Sequence, residues 1–356
     1  IMPSLVGSEM CIRDRSKGMK GVIGNILITG ASGFIGRHLV HFLLAKEAVS
    51  QIIALDNLQG EGRLINLQEF FSHPRFTFIQ EDIRHQKALA TILREHNIDH
   101  VLHLAAQSHV DYSISDPLAT VDDNIIGTAR LIENCQRYRK TQKKNNFRFI
   151  QVSTDEVFGS LSLRQKSFTE ESPYQPNSPY ASSKAGADLI LRSYQKTYGF
   201  PAIITYACNN FGSFQALSKF IPRIINAFYL EKEVPIYGNG KQIRDWLAVE
   251  DHIAALYLVL TKGIIGEKYA ISAQAEYNNL EVAQYLALLA SHYTNKPLMH
   301  FTALIKHVED RAGHDFRYGL NSKKITKQLG WQPKIEFLPG LKNTLNWYFH
   351  HRDWCN

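Results

Sequence analysis

The sequence predicts an α/β protein, a doubly wound parallel sheet with a smaller α/β C-terminal lobe. Three observations carry that expectation. Short, continuously apolar runs alternate with amphipathic helical patterns over residues 25–207; a glycine-rich turn joins the first run to the first helix; and the alternation loosens after about Asn210. Continuously apolar strands are those covered on both faces, and parallel neighbours need a helical crossover between them.

The strand-like runs are NILITG (25–30), QIIALD (51–56), FTFIQED (76–82), HVLHLAA (100–106), FRFIQVST (147–154) and AIITYA (202–207). Helical patterns lie between them, in FIGRHLVHFLLAKE, QKALATILREH, IIGTARLIENCQRY and SPYASSKAGADLILRSYQKTYG. After Asn210 the chain reads as helices with short strands: FIPRIINAFYL, VPIYG, VEDHIAALYLVL, KYAIS, LEVAQYLALLA and SKKITKQLG. Such a lobe is expected over the carboxyl ends of the strands, where open α/β sheets bind ligands. The expected division is a leader over 1–19, a dinucleotide-binding domain over 20–212 and a substrate lobe over 213–356, with some lobe segments returning to the first domain.

Composition narrows the function classes. The 356 residues carry a formal charge of +7, and part of the excess sits in Arg13–Lys20 and Arg137–Lys144. The second run reads as a solvated helix end without interleaved aromatics, which argues against a nucleic-acid platform; a mildly basic surface suits a diphosphate ligand. No apolar stretch approaches a membrane span. Cys11, Cys135, Cys208 and Cys355 are scattered, suggesting neither a zinc site nor a disulfide framework, so a cytoplasmic setting is expected and no metal. The leader lacks periodicity and a signal-peptide core; it reads as translated sequence ahead of a start at Met19 and is expected to be disordered.

The turn Gly30-Ala-Ser-Gly33-Phe-Ile-Gly36 follows a strand and opens a helix. Gly30 allows the tight turn, Gly33 lets backbone approach a pyrophosphate, and Gly36 lets helix and strand pack closely. Asp56 ends the second strand twenty positions beyond Gly36, where a carboxylate binds a ribose 2′-hydroxyl and disfavours a 2′-phosphate. A glycine turn with an Asp cap is the plain alternative, disfavoured by the joint placement. This is a Rossmann-type site expected to take NAD rather than NADP. Asp82-Ile83 ends the third strand; spacing leaves Asp82 as either an adenine contact or a helix cap.

Tyr180 and Lys184 lie four apart in a helical segment, hence on one face. A neighbouring ammonium favours the phenolate and is expected to lower the tyrosine's pKa, giving a base for an alcohol. Thr154, at the end of the fifth strand, is placed to bond the same hydroxyl. The carboxyls that follow, Asp155 and Glu156, can hold opposite protonation states where their environments differ, as an acid and a base do.

These residues resemble the extended short-chain dehydrogenase/reductase family, and Ser153-Thr154-Asp155-Glu156-Val157-Phe158-Gly159 resembles the signature of its dTDP-glucose 4,6-dehydratases. The likeness continues through HLAAQSHVDYSI (103–114), PYASSKAGAD (179–188), CNNFG (208–212), PIYGNGKQIRDWLAVEDH (235–252) and EDRAGHDFRYGL (309–320). It implies a lyase acting on a nucleoside-diphosphate glucose, with NAD retained through turnover. Tyr180 would take the C4 hydroxyl proton as hydride passes to NAD, Glu156 the C5 proton, and Asp155 would protonate the departing C6 hydroxyl. It also implies cofactor contacts at Phe34, Ile35, Asn57, Leu104, Ala105, Ala106 and Asn210, beside Tyr180 and Lys184. Substrate contacts are implied at Ser108, Thr154, Asn209, Lys219, Pro235, Tyr237, Arg244, Asn279, Arg311 and His314. Arg244 is the foremost phosphate cation, since a guanidinium fork matches phosphate oxygens, although Arg244-Asp245 could form a local ion pair. Relatives suggest a homodimer through helices around 124–138 and 178–198, whose apolar positions could equally be core.

The chain departs from that pattern at several positions. PYxxPEK is replaced by Ser213–Lys219, so the acidic contact is missing at Ser218; Gln107 stands for a frequent Glu, Ala312 for a Pro, and Asp123 for a Thr near the cofactor. The alternatives are a UDP-glucose 4,6-dehydratase, a 4-epimerase, which needs no Asp-Glu pair, or a non-catalytic NAD-binding regulator.

Overall fold

The computed structural model describes residues 23–310 and 313–355, so the expected leader and Arg311 lie outside the described residues. In chain order the strands are β1 (Gly24–Thr29), β2 (Val49–Asp56), β3 (Phe76–Gln80), β4 (His100–His103), β5 (Arg148–Thr154), β6 (Ala202–Ala207), β7 (Asn209–Phe211), β8 (Val234–Tyr237), β9 (Ile243–Ala248), β10 (Lys268–Ile271), β11 (Glu276–Asn278) and β12 (Ile305–Val308).

Seven strands form one sheet in the order β3-β2-β1-β4-β5-β6-β10, every pair parallel. This is the expected Rossmann-type, doubly wound sheet. The chain runs outward in one direction from β1 and in the other from β4, which leaves a crevice at their carboxyl ends. Ile26, Leu27, Ile28, Ile52, Ile53 and Ala54 are fully buried, as strands covered on both faces require. The predicted helices form at Phe34–Leu44, Gln86–Glu95, Gly127–Thr141 and Pro179–Tyr198.

Local chemistry fixes the last of these. Ser178 caps it by accepting from the Ala181 amide at 3.1 Å, Pro179 occupies the first turn, and Gly199 ends it at φ +61°. Its start therefore falls beside the end of β5. The Gly127–Thr141 helix is preceded by a π-helical stretch, Asp122–Ile126, that the periodicity did not reveal. A widened turn of this kind redirects one side chain, here Asn124.

The C-terminal lobe packs helices Phe220–Tyr229, Asn279–Thr294 and Phe337–His350 against two small sheets, β11-β9-β7 and β12-β8. Its core is separate and includes Phe211, Ile224, Trp246, Leu286 and Leu345. The Phe337–His350 helix was not singled out because Pro339 and Gly340 interrupt its pattern. Proline is harmless in a first turn, and a Cβ at Gly340 would press within 3.0 Å of Phe211 and Ile335.

The two cores interleave along the chain. The Val249–Lys262 helix packs its Ile253, Leu256 and Val259 into the main core, β10 pairs with β6, and Ile325 and Trp331 join the same core. Trp331 donates its indole N–H to the Asp251 carbonyl at 3.0 Å. The sheet thus depends on chain well beyond residue 212. Leu256 is fully buried, so Leu256→Ala should cost about 2–5 kcal/mol. Urea unfolding followed by fluorescence should show that loss in the main transition; an unchanged midpoint would contradict this packing.

Candidate active site

A cavity of about 890 Å³ follows the carboxyl ends of the sheet strands. Every expected cofactor residue lies on its wall: Gly30, Gly33, Phe34, Ile35, Gly36, Asp56, Asn57, Asp82, Ile83, Leu104, Ala105, Ala106, Tyr180, Lys184 and Asn210.

At one end the glycine loop forms a cradle. Gly30 sits at φ +70°, and a Cβ there would meet the Ala105 amide nitrogen at 2.7 Å. A Cβ at Gly36 would fall 2.2 Å from the Gly30 carbonyl oxygen, so only glycine lets the helix start against the turn. Gly33 is the extended residue preceding the helix and borders the cavity. The buried Asp56 carboxylate accepts from the Ser32 amide at 3.0 Å and the Leu58 amide at 2.9 Å, tying the loop to the end of β2. Backbone amides at a helix N-terminus, with a fixed carboxylate one strand away, fit a dinucleotide with a free ribose 2′-hydroxyl.

Asp82 is not the cap of the following helix, whose N-cap is His85. Burial opposes its ionisation, but bonds from Arg84 and Asn57 outweigh that and hold its carboxyl well below the usual range. Arg84 also pairs with Asp123 at 2.8 Å. The acidic residue standing in the place of a threonine is therefore matched by a cation.

At the other end, β5 stops at Thr154 and a single 3-10 turn, Asp155–Phe158, carries the carboxyl pair. Gly159 closes the turn at φ +85°, where a Cβ would collide with the Gln175 carbonyl at 2.3 Å. Thr154 accepts from the Glu156 amide and lies within hydrogen-bond reach of both the Asp155 carboxyl, at 3.3 Å, and the Tyr180 hydroxyl. The two carboxyls then diverge. Glu156 is half-buried on the cavity wall, whereas Asp155 is 2% exposed, behind the wall. Burial, with Glu156 and Asp245 adding repulsion, pushes the Asp155 carboxyl well above its ordinary value despite the opposing pull of Arg244 and Thr154. Burial thus favours the protonated form of Asp155, while Glu156 occupies the better-solvated position.

Tyr180 and Lys184 share one face of the Pro179–Tyr198 helix, but the expected lowering of the tyrosine's pKa is not found. Burial and the nearby Glu156, Asp155 and Asp188 push the phenol up, against the hydrogen bond from Thr154. The Lys184 ammonium instead donates to the Val152 carbonyl at 2.8 Å, and burial pushes its own pKa down. Burial of the phenol, with its acidic neighbours adding to it, outweighs a lysine that is turned toward a backbone carbonyl.

Three further residues shape the site without a clear mark in the sequence. Asn124, at the π-turn, accepts from the Gln107 amide at 2.7 Å and donates to its carbonyl at 3.0 Å and to Ser183 Oγ at 2.8 Å. It locks the chain after β4 to the catalytic helix. Asp188, one turn past Lys184, accepts from Ser153 at 2.5 Å, and burial pushes its pKa up to about 6. His252 shares a 2.9 Å bond with Asn210, and burial pushes it down to about 3, so it is neutral. An Asn within an apolar helical pattern was the available signal for the first; the others are visible only in three dimensions.

Among the expected substrate residues, Ser108, Thr154, Asn209 and Lys219 lie on the cavity wall. Pro235, Tyr237, Arg244, Asn279 and His314 do not. They gather around β8 and β9 in the C-terminal lobe, where the capping box of Asn278 and Glu281 fixes Asn279 at the start of its helix. The Tyr237 and His314 rings meet edge-on at 6.3 Å, and His314 bonds Asp310 at 2.6 Å. The buried Arg244 donates to the Ile243 and Asp315 carbonyls at 2.8 and 3.0 Å and lies over the Tyr318 ring. It does not pair with Asp245, whose partners are Ser272 and the Ala275 amide. Among the described residues no cluster of His, Cys, Asp and Glu could hold a metal, and no helix is long and apolar enough to cross a membrane.

A carboxyl kept protonated by burial stabilises the fold below the unfolded value, and that stability is lost as pH rises toward the folded pKa. Asp155→Asn removes this loss. It should raise the melting temperature by a few degrees at pH 8, with the advantage shrinking toward pH 4; an equal shift at both pH values would contradict a neutral buried Asp155.

Comparison with known proteins agrees with this geometry. The family model for GDP-mannose 4,6 dehydratase matches residues 27–344. The chain is 44% identical over 330 residues to the dTDP-glucose 4,6-dehydratase of Haemophilus influenzae, covering 91% of this chain and 97% of that one. It is 41% identical over 334 residues to the Neisseria gonorrhoeae enzyme of the same name, covering 92% and 96%. Among solved structures, the dTDP-glucose 4,6-dehydratase DesIV of Streptomyces venezuelae, crystallised with NAD, superposes with a TM-score of 0.84 at 37% identity, covering 93% and 98%. A UDP-glucose 4-epimerase from Thermotoga maritima reaches 0.80 at 26% identity, covering 91% and 98%. The chain belongs to the GDP-mannose 4,6 dehydratase family of short-chain dehydrogenases/reductases, and within it to the dTDP-glucose 4,6-dehydratases.

Proposed function

We propose that this chain is an NAD-dependent lyase that converts dTDP-glucose to dTDP-4-keto-6-deoxyglucose and water. One observation carries the reading: beside Tyr180, a carboxyl held neutral by burial adjoins a second carboxyl that faces the cavity. A 4-epimerase has no use for that pair.

When bound, NAD supplies a hydride acceptor for C4 and a hydride donor for C6. Tyr180 takes the C4 hydroxyl proton, with Thr154 bonded to the same phenol. Its raised pKa makes the phenol a poor base until positive charge arrives, which couples its deprotonation to a loaded, oxidised cofactor. An ammonium has three donors, so the bond from Lys184 to Val152 leaves capacity toward the phenol and the cofactor. The 4-ketone acidifies C5–H, and Glu156, on the cavity wall, takes that proton. Asp155, turning outward from behind the wall, gives its own to the C6 hydroxyl, which leaves as water. C5 regains a solvent-exchanged proton through Glu156 as C6 is reduced. Asp188 beneath Lys184 opposes the desolvation of the ammonium.

The cofactor-binding unit comprises 20–212 with the returning segments, and the sugar nucleotide lies toward the lobe over 213–356. Ser108 and Asn209 are assigned to the sugar, Lys219, Arg244 and His314 to the diphosphate and nucleotide, and Pro235, Tyr237, Asn279 and Arg311 to the nucleoside. Leu118, Val121, Ile126 and Leu189 are exposed on adjoining helices, Leu118 by 79% and Leu189 by 54%, which supports a homodimer through that face. The free thiols of Cys135, Cys208 and Cys355 fit a reducing cytoplasm.

Reaction in deuterium oxide should place label at C5 of the product; unlabelled product would sink the mechanism. The paired substitutions Asp155→Asn and Glu156→Gln should reduce 4-keto-6-deoxy product by at least ~100-fold while dTDP-glucose still generates some NADH. Undiminished activity would overturn the roles given to the carboxyls, and faster turnover of UDP-glucose would reassign the nucleotide. Leu118→Asp with Leu189→Asp should halve the mass seen by light scattering; a species unchanged in mass would remove this face from the assembly.

A further inference from the structure

Loop 57–63, which leaves β2, and loop 213–219, which replaces the family's PYxxPEK segment, meet at the cavity through one residue. The Glu61 carboxylate accepts from Ser218 Oγ and pairs with Lys219 at 3.1 Å. Lys219 donates in turn to the Ser108 carbonyl at 3.0 Å, so the contact is joined to the chain after β4 as well. Glu61, Ser108, Ser218 and Lys219 all line the cavity.

Both loops are anchored to the cofactor cradle. Loop 57–63 runs beside the glycine turn: the Arg63 amide donates to the Ser32 carbonyl at 3.3 Å, and a Cβ at Gly62 would meet Ser32 Oγ at 2.4 Å. Loop 213–219 is fixed to the helix that begins there. His38 bonds the Phe34 carbonyl through Nδ1, which leaves Nε2 of the neutral ring to accept from Ser213 Oγ at 3.3 Å. The Arg37 guanidinium lies 3.8 Å from the centre of the Phe214 ring, while Trp347 and Trp354 pack against the same ring at 4.5 and 5.8 Å. Phe214 is held at φ +63°, which a residue of its size adopts only when its surroundings impose it. Both loops therefore adjoin the start of this helix, and Glu61 bridges them.

We propose that Glu61 and Ser218 form a clasp across the pyrophosphate end of the cavity that slows escape of the bound cofactor. The inference rests on the NAD reading above but not on the identity of the sugar. It also gives a physical sense to the departure at position 218. Where relatives carry a glutamate beside the lysine, this chain carries a serine, and loop 57–63 supplies the carboxylate from across the cavity. An enzyme whose hydride is returned in the same turnover gains from a cofactor that stays in place.

The test is cofactor release, read without turnover. Protein loaded with NADH is mixed with excess NAD, and the loss of bound-NADH fluorescence gives the dissociation rate. Glu61→Ala removes two charge-assisted contacts of a partly exposed pair and should speed release about five- to twentyfold. Ser218→Ala should speed it less, and Glu61→Gln should fall between, with melting temperatures unchanged. Raised salt should accelerate release from the unsubstituted protein and leave Glu61→Ala little affected. Dissociation rates indistinguishable among the variants would overturn the clasp. So would an effect of Glu61→Ala confined to KM for dTDP-glucose, which would make Glu61 a substrate contact. Failure of the unsubstituted protein to hold NADH would overturn the cofactor reading and the clasp together; absent dehydration with intact NADH binding would touch only the sugar reading.

Discussion

Burial of one carboxyl at the end of β5 is the constraint around which this site is arranged. Asp155 loses water on entering the protein and finds Glu156 and Asp245 nearby, so its protonated form is favoured; Glu156, one residue on, faces the cavity. The difference between neighbours is made by backbone direction alone. A single 3-10 turn, closed by Gly159 in a conformation that a side chain would obstruct, sends one carboxyl inward and the other outward. Two adjacent carboxyls are thereby given different surroundings by one turn of chain, as an acid and a base require.

That arrangement imposes a requirement on the rest of the site. Three carboxyls surround Tyr180, and together with burial they oppose its ionisation. Lys184 alone does not reverse this, being itself desolvated and bonded to a backbone carbonyl. The cationic nicotinamide ring of an oxidised cofactor would thus enter the electrostatic balance as well as the redox step. The glycine cradle fits its pyrophosphate at the helix N-terminus, and the π-turn carrying Asn124 braces the chain after β4 against the Pro179–Tyr198 helix.

The fold follows the same logic of ends. Parallel strands deliver Gly30, Asp56, Asp82, Leu104, Thr154 and Ala207 to one rim of the sheet, and the C-terminal lobe is held over that rim because its chain twice returns to the main core. The Val249–Lys262 helix and β10 make the lobe and the sheet mutually dependent. Positioning of Asn209 and Arg244 on the small β11-β9-β7 sheet is consequently tied to the stability of the whole.

The sequence by itself determined the parallel sheet, the glycine cradle, and the residue types that perform the chemistry, because each depends on local spacing. Apolar runs of strand length, three glycines on a strand–helix turn, and Tyr180 with Lys184 at helical separation are properties of short segments. Tertiary structure decided what short segments do not encode. It sets which member of the Asp155-Glu156 pair is desolvated, since burial depends on the chain packed around the turn, and it brings Asp245 from β9 to add repulsion. It turns Lys184 toward Val152 and raises Tyr180, where spacing alone suggested the opposite. It places Arg244 against the Asp315 carbonyl, 71 positions away in the chain, and brings Glu61 to Ser218 across 157 positions. Charge and burial act through space, and only the folded chain sets those distances.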